Sequence, residues 1–274
     1  MQLQYAQRAA QKGSTGLFLK LQVAHDTHGN ELIIAIVASS KRSESVYRIH
    51  DGIMAKMSGL HGDARLLAHH LLATASRFNW NEGASSGVSV KQVANACAEV
   101  QHSLTMRPGA RPLAVDAVLF GLDGLVEGKG RLGLYKCHLT GVVDECHFCV
   151  VGDLCLDKML YSDCVNELEL LWNESQMRQG DGDVDGEGMG NGSVSRAITR
   201  MATVLLKQRQ TTQSTTSSDD KQHEQKEHES PAVDIYIMKP NPKCRGGVQI
   251  SCATCVRKED LDHVGALFEE EIFQ

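Results

Sequence analysis

The sequence lacks a surplus of positive charge. Its 28 Lys and Arg residues are outnumbered by 34 Asp and Glu residues, and the formal net charge is −6 at pH 7. No run and no helical face gathers the basic side chains, although a phosphate-binding surface requires such clustering. We therefore expect no nucleic acid among the partners of this chain.

Long apolar runs and an export signal are also missing. The longest apolar run, at 32–38, has the length of a strand, whereas a membrane-spanning helix needs roughly 18 apolar residues. We therefore expect no membrane partner. The nine cysteines are an odd number, and without an export signal they are expected to be thiols and not disulfides.

Two hydrophobic periodicities divide the chain into blocks of strands and blocks of helices. Strand patterns lie at 17–23, 31–38, 46–49, 53–58, 113–121, 131–137, 142–152, 233–238 and 248–252. Helical patterns lie at 1–11, 60–78, 90–106, 154–172, 193–210 and 258–272. Ser89 and Gln92 predict a capping box in front of the third helix.

The arrangement of these blocks predicts the fold class. Strands and helices come in runs of each type and do not alternate strictly, which favours antiparallel sheets packed face to face with helices outside. The prediction is an α+β protein with a four-layer α/β/β/α sandwich, built as a single domain over 1–274. Two polar segments, 179–192 and 211–230, contain too little apolar surface to offset ordering entropy and are predicted to be flexible insertions.

A series of short motifs follows in a fixed order along the chain. They are Leu3-Gln4-Tyr5-Ala6, Lys12-Gly13-Ser14-Thr15, Ser58-Gly59-Leu60-His61-Gly62-Asp63-Ala64-Arg65, Arg77-Phe78-Asn79-Trp80-Asn81-Glu82, Arg111-Pro112-Leu113-Ala114-Val115, Leu134 to Gly141, and Val150-Val151-Gly152. Together they resemble the α-type subunits of the 20S proteasome, over nearly the whole chain. The resemblance implies the N-terminal-nucleophile hydrolase fold, which is a four-layer sandwich, and a divergent, N-terminally short α-type subunit.

The resemblance also implies a function. Subunits of this type are non-catalytic and form a heptameric ring that caps the chamber of β subunits, so the implied partners are other α subunits, β subunits and proteasome activators. The implied process is ubiquitin-dependent protein degradation in the cytoplasm and nucleus, without a cofactor. The family's α subunits start earlier, with a Tyr-Asp-Arg segment that plugs the axial pore. A subunit without a gate and a truncated start are both compatible with this sequence.

Four residues are candidates for subunit or activator interfaces by this resemblance: Tyr5, Lys12, Gly13 and Ser45. Tyr5 and its helix would line the pore-facing end of the ring. The pocket that receives an activator's terminal carboxylate would contain Gly13, and its lysine position falls at Ser45. Because serine cannot supply a charge-assisted contact, the nearby basic pair at 41–42 is the alternative.

An active N-terminal threonine peptidase of the same fold is the rival hypothesis. Cleavage before Ser14 or Thr15 would free the nucleophile, which then needs a base, a lysine and an orienting acid. By the resemblance, the acid position holds Val37, the lysine position Ser45, and the assisting serine position Asp153. We therefore predict no catalytic residues. A further alternative is a paralogue that acts as an assembly or regulatory factor outside the particle.

Four patterns suggest metal ligands, and each is incomplete. Cys146 and Cys149 lie in one predicted strand, where residues three apart face opposite ways. The pair at 252 and 255 lies in a strand or turn. The acidic loop 181–192 has glycine where a calcium loop needs a bidentate Glu, and the histidines at 223 and 228 are spaced wrongly for one helical face. The sequence predicts no metal site.

Overall fold

The computed structural model of the chain describes residues 2–22, 31–39, 45–82, 87–126, 129–177, 193–216, 231–241, 244 and 247–273. The helices are α1 (Gln2–Gln11), α2 (His61–Glu82), α3 (Val90–Met106), α4 (Lys158–Met177), α5 (Ser193–Thr216) and α6 (Leu261–Phe273). Short 3-10 helices at Asp153–Leu156 and Lys258–Asp260 precede α4 and α6.

The strands of the described chain form two antiparallel sheets of five strands each. Their bounds are β1 (Gly16–Gln22), β2 (Glu31–Ala38), β3 (Val46–His50), β4 (Ile53–Gly59), β5 (Val115–Val126), β6 (Lys129–Cys137), β7 (Val143–Glu145), β8 (Phe148–Val151), β9 (Val233–Pro240) and β10 (Val248–Val256). The strand order is β10-β9-β2-β1-β8 in one sheet and β3-β4-β5-β6-β7 in the other.

Three apolar cores separate four layers. Phe18, Ile33 and Val118 belong to the core between the two sheets. Leu17 and Leu19 face the other way, onto α4, α5 and α6. The second sheet packs on α2 and α3 through an equivalent set. Adjacent residues of β1 therefore enter different cores, as the alternation of a strand requires, and the predicted α+β four-layer sandwich is confirmed.

The capping box in front of α3 is confirmed. The Ser89 hydroxyl accepts a hydrogen bond from the backbone N–H of Lys91 at 3.1 Å, and the Ser89 N–H donates to Oε1 of Gln92 at 3.0 Å. The helix covers 90–106 as its apolar spacing predicts. Asp123 on β5 reinforces the cap, because its Oδ1 accepts from the Ser89 hydroxyl at 2.7 Å and from the N–H of Lys91 at 3.3 Å.

The predicted strand at 142–152 is two strands that belong to different sheets, so that prediction is wrong. β7 pairs with β6, whereas β8 pairs with β1. Between them, the N–H of Cys146 donates to the Leu134 carbonyl at 2.9 Å, and the His147 carbonyl accepts from the N–H of Lys20 at 2.7 Å. The chain thus crosses from one sheet to the other within two residues, although its composition there is continuous with a single strand.

Other boundaries shift by a few residues. β5 extends to Val126 and α2 to Glu82, beyond the apolar spacing that predicted them. α5 continues to Thr216, into the beginning of the segment predicted as the insertion 211–230, and 217–230 lies outside the described residues, as does the insertion 179–192. None of the described helices has both the length and the apolar character needed to cross a bilayer.

Candidate functional site at the junction of α1 and β1

The short link between α1 and β1 is buried and closely fitted. Gly13 lies so near β4 that an added Cβ would come within 2.0 Å of the Gly59 nitrogen, so only glycine fits there. Its carbonyl accepts a hydrogen bond from the backbone N–H of Asp153 at 3.0 Å. On the other side, Gly152 adopts φ = 95° and its Cα lies against the backbone of Ser14 and Thr15. The link is therefore fixed from two sides.

Ser14 is paired with a buried lysine. The Nζ of Lys56 on β4 donates to the Ser14 hydroxyl oxygen at 2.6 Å and to the Met57 carbonyl at 3.2 Å. Lys56 is fully buried, at 0% exposure. In the register of the second sheet it lies opposite Val46, so its side chain enters the space between the sheets. A serine hydroxyl and a lysine amine thus meet where the chain enters β1.

Burial changes the protonation of this lysine. Desolvation lowers the pKa of Lys56 from 10.5 to about 7, and the charge of Asp153 opposes that shift only in part. At neutral pH a substantial fraction of the amine is therefore uncharged. An uncharged amine can accept the proton of a serine hydroxyl, so the pair has the composition of a nucleophile with its general base.

Thr15 faces the opposite way, toward the helices. Its hydroxyl donates to Oδ1 of Asp153 and accepts from the backbone N–H of Leu154 at 3.3 Å. The amide of Gln208 on α5 donates to the same carboxylate oxygen at 3.0 Å. Asp153, which the sequence resemblance aligns with the family's assisting serine, therefore holds Thr15, the 3-10 helix and α5 together.

The sequence predicted no lysine beside the candidate nucleophile, and the contact between Lys56 and Ser14 shows that this prediction was wrong. Ser45, at the family's lysine position, bonds through its backbone carbonyl to the N–H of Met57 at 2.8 Å. Val37, at the acid position, is buried in the core between the sheets. Lys56 enters from the neighbouring strand instead. The signal in the sequence was a lysine at an inward position of β4, between the buried Ala55 and Met57.

The other predicted interface residues lie along α1 and its end. Tyr5 is exposed over 67% of its surface, and Lys12 is exposed directly after the helix. Gly13 is buried at the junction. Lys41 and Arg42, the alternative pocket cations, lie outside the described residues. The roles of Tyr5, Lys12, Gly13 and Ser45 in contacts with other chains stay predictions.

Two motifs of the sequence meet beside the junction. The carboxylate of Asp63, at the start of α2, accepts both Nη groups of Arg111 at 2.7 and 2.6 Å and the N–H of Ala114 at 2.9 Å. The hydrogen bonds from Arg111 lower the pKa of Asp63, so the carboxylate stays charged. This bidentate pair ties the start of α2 to the segment that enters β5.

The cysteine patterns do not come together as a metal site. Among the residues that the structure covers, no group of three or more His, Cys, Asp or Glu side chains is positioned to hold a metal ion. Cys149 is buried in β8, and Cys252 and Cys255 are exposed on β10. The acidic loop 181–192 and the histidines at 223 and 228 lie outside the described residues.

Comparisons with known proteins agree with this fold. Residues 32–167 match the family described as "Proteasome subunit". The chain is 26% identical over 148 residues to "Proteasome subunit alpha" of Archaeoglobus fulgidus, covering 52% of this chain and 58% of that protein. It is 22% identical over 151 residues to "Proteasome subunit alpha" of Methanocaldococcus jannaschii, covering 55% of each. The matched segment thus spans about half the length of these relatives.

The two face-to-face antiparallel sheets, flanked by helices and entered through the Gly13–Thr15 link, define a protein of the N-terminal-nucleophile hydrolase fold. Within that class the matched family and the relatives point in the same direction. This chain belongs to the proteasome subunit family, as a divergent member of the α type.

Proposed function

We propose that this chain is a non-catalytic α-type subunit of a proteasome core particle, where it scaffolds a ring and helps control the access of substrates to the chamber. One observation carries the non-catalytic part. α1 packs on the body through Ala6 and Ala10, and the Ser58 hydroxyl donates to the Ala10 carbonyl, so α1 is built into the fold and differs from a loosely attached leader that cleavage would release. While α1 stays attached, the α-amine that an N-terminal nucleophile uses as its base is not available.

The surface supports a role in assembly. Large apolar side chains are exposed on five of the described helices, among them Tyr5, Leu66, Trp80, Met106, Met159 and Leu267. Such side chains are available for burial against partners, and obligate assemblies bury large apolar surfaces. The proposed partners are sister α subunits and β subunits.

The proposal extends to the cellular setting. The degradation served by the particle would be ubiquitin-dependent, and the chain would reside in the cytoplasm and nucleus. Activators would dock at a pocket near Gly13 and Ser45, with a weaker carboxylate contact than a lysine at position 45 would give. Imaging of a fluorescently tagged chain tests the localisation, and restoring Ser45→Lys should strengthen activator binding.

Affinity capture of the tagged chain from its own cells tests the assembly. We expect α and β proteasome subunits to be recovered together and in fixed ratio. Recovery of α subunits or assembly factors without β subunits would instead favour a paralogue that acts outside the particle. Recovery of the chain alone would contradict both assignments.

A second candidate function, self-cleavage to an active peptidase, is favoured by the Ser14–Lys56 pair. The Ser14 oxygen would attack the Gly13 carbonyl carbon while Lys56 takes the hydroxyl proton. The N–H of Asp153, at 3.0 Å from the Gly13 oxygen, would stabilise the developing charge. The Gly13–Ser14 bond then breaks, the Ser14 nitrogen receives the proton, and water hydrolyses the ester to leave a free amine.

Intact-mass measurement of the purified chain decides between the two functions. The non-catalytic proposal predicts a mass that includes α1, identical in Ser14→Ala apart from one oxygen. A chain that begins at Ser14 in the wild type, but stays uncleaved in Ser14→Ala and Lys56→Met, would establish self-cleavage. Lys91→Met, which removes an exposed lysine of α3, controls for loss of charge.

A further inference from the structure

A cavity of about 400 Å³ opens beside the junction, at the end of the space between the sheets. Its walls come from α1, the ends of β5 and β6, the turn before β7, and the segment from β8 to α4. The polar groups around it are Gln7, Gln11, Asp116, Lys136, His138, Thr140, Asp144 and Tyr161. Cavities of this volume are of the size that small ligands occupy in proteins.

Asp116 is the half-buried acid of this cavity. It precedes Ala117, which pairs with Cys137, so its side chain enters the same end of the sandwich as those of Lys136 and His138. One oxygen, Oδ1, accepts the N–H of Leu139 at 3.3 Å. Among the described residues, no hydrogen bond or ion pair reaches the other oxygen. Burial raises the pKa of Asp116, and the positive charges of His138 and Lys136 offset that rise only in part.

Lys136 supplies a positive charge to the same space. Its Nζ donates one hydrogen bond to the Val150 carbonyl at 3.2 Å, which leaves donor capacity because an ammonium carries three hydrogens. In the strand register Asp116 is diagonal to Lys136, a relation that separates side-chain origins by about 7–8 Å. The two side chains form no ion pair with each other in the described part of the chain, yet they share one cavity.

The rim adds further polar groups. His138 and Asp144 pair with each other at 3.1 Å. The hydroxyls of Thr140 and Tyr161 and the amides of Gln7 and Gln11 form no side-chain hydrogen bond with any described residue. These side chains are at least partly exposed, so solvent serves their donors and acceptors in the free protein and a ligand that enters the cavity can bond to them instead.

We propose that this cavity binds a zwitterionic ligand, a free short peptide, with the ammonium at Asp116 and the carboxylate at Lys136. A ligand of both charges matches a site of both charges and leaves neither Asp116 nor Lys136 unpaired. A purely anionic ligand would be repelled by Asp116, and a purely cationic ligand by Lys136. The hydroxyl and amide groups at the rim would then hydrogen-bond the peptide backbone. This site does not depend on assembly or on Ser14.

Calorimetric titration of the full chain with triglycine tests the site. We expect saturable binding, and we expect N-acetyl-triglycine and triglycine amide to bind about tenfold more weakly or worse, since each lacks one charge-assisted contact. Asp116→Asn should weaken the binding of triglycine but not that of N-acetyl-triglycine. Lys136→Met should weaken the binding of triglycine but not that of triglycine amide. Glu99→Gln, on the exposed face of α3, should bind triglycine as the wild type does.

Each blocked peptide lacks the charge that one of the two variants would otherwise pair with, so the titrations test the two contacts separately. No saturable heat with triglycine, or equal affinity for the blocked and unblocked peptides, would overturn the proposal. So would unchanged binding in both cavity variants. Circular dichroism of each variant, with Asn and Met chosen to keep side-chain size, separates lost binding from lost folding.

Discussion

Lys56 occupies a position that is costly to the fold. Its amine lies wholly inside the protein, where a charge loses the hydration it has in water. The hydroxyl of Ser14 and the carbonyl of Met57 accept hydrogen bonds from it, and Asp153 supplies a distant negative charge. These contacts reduce the desolvation penalty without cancelling it, because the pKa is still lowered to about 7.

Replacing Lys56 with Met should therefore stabilise the protein in a pH-dependent way. The unfolded chain binds the lysine proton up to pH 10.5 and the folded chain only up to about pH 7. Between these values the free energy of unfolding of the wild type rises with pH, and below about pH 7 the whole penalty is present. The shift corresponds to at most about 5 kcal/mol, from which the lost hydrogen bonds must be subtracted.

Urea unfolding of both proteins, from about pH 6 to about pH 9, measures this effect. The advantage of Lys56→Met should be largest at the acidic end and should shrink as the pH rises. Lys91→Met, on the exposed surface, controls for the loss of one positive charge. An advantage that stays constant over this range, or a variant that is less stable at every pH, would show that Lys56 does not carry the penalty.

At the scale of elements, α1 is attached by small side chains. Ala6 and Ala10 pack against Ala114 and Leu139, and the hydroxyl of Ser58 donates to the Ala10 carbonyl at 3.2 Å. Small residues allow the helix to approach the body closely enough for this hydrogen bond. The attachment keeps the amino end of β1 inside the chain's own structure, which the proposed non-catalytic function requires.

A larger side chain at Ala10 should loosen that attachment. Ala10 has 0% exposure, so Ala10→Leu has no space without moving the helix, at a cost of about 1–3 kcal/mol. We expect faster hydrogen exchange in α1 and a Tm lower by a few degrees. Gln4→Leu, on the exposed face of α1, should leave both unchanged. Unchanged exchange in Ala10→Leu would mean that α1 is not held by this contact.

Some elements could be predicted from the sequence and others could not. α3 and its cap are predictable because Ser89 and Gln92 act within one turn. The division of 142–152 into β7 and β8 is not predictable from the local sequence. It depends on hydrogen bonds that Cys146 makes with β6 and His147 makes with β1, and both strands are distant in sequence. The Ser14–Lys56 contact was missed for the same reason. Alternation places Lys56 inward, but only the folded chain brings Ser14 to it.

For the whole molecule, the pattern of apolar residues was sufficient to predict four layers. Blocks of strands and helices determine which faces must be buried, and the two sheets bury them as expected. The motifs were also informative in pairs, since Asp63 and Arg111 come from separate stretches and meet in one ion pair. Contacts with other chains could not be predicted in this way. They depend on surface residues, and the burial pattern inside one chain does not determine which of these face a partner.

The central claim is that this chain works as one member of a ring of related subunits. Native mass spectrometry of the complex captured through a tag on this chain tests it most directly. The account predicts that the 29.9 kDa chain is released intact from a particle many times its own mass, which also contains α and β proteasome subunits. A captured species that has the mass of the single chain, or of that chain shortened to begin at Ser14, would contradict it.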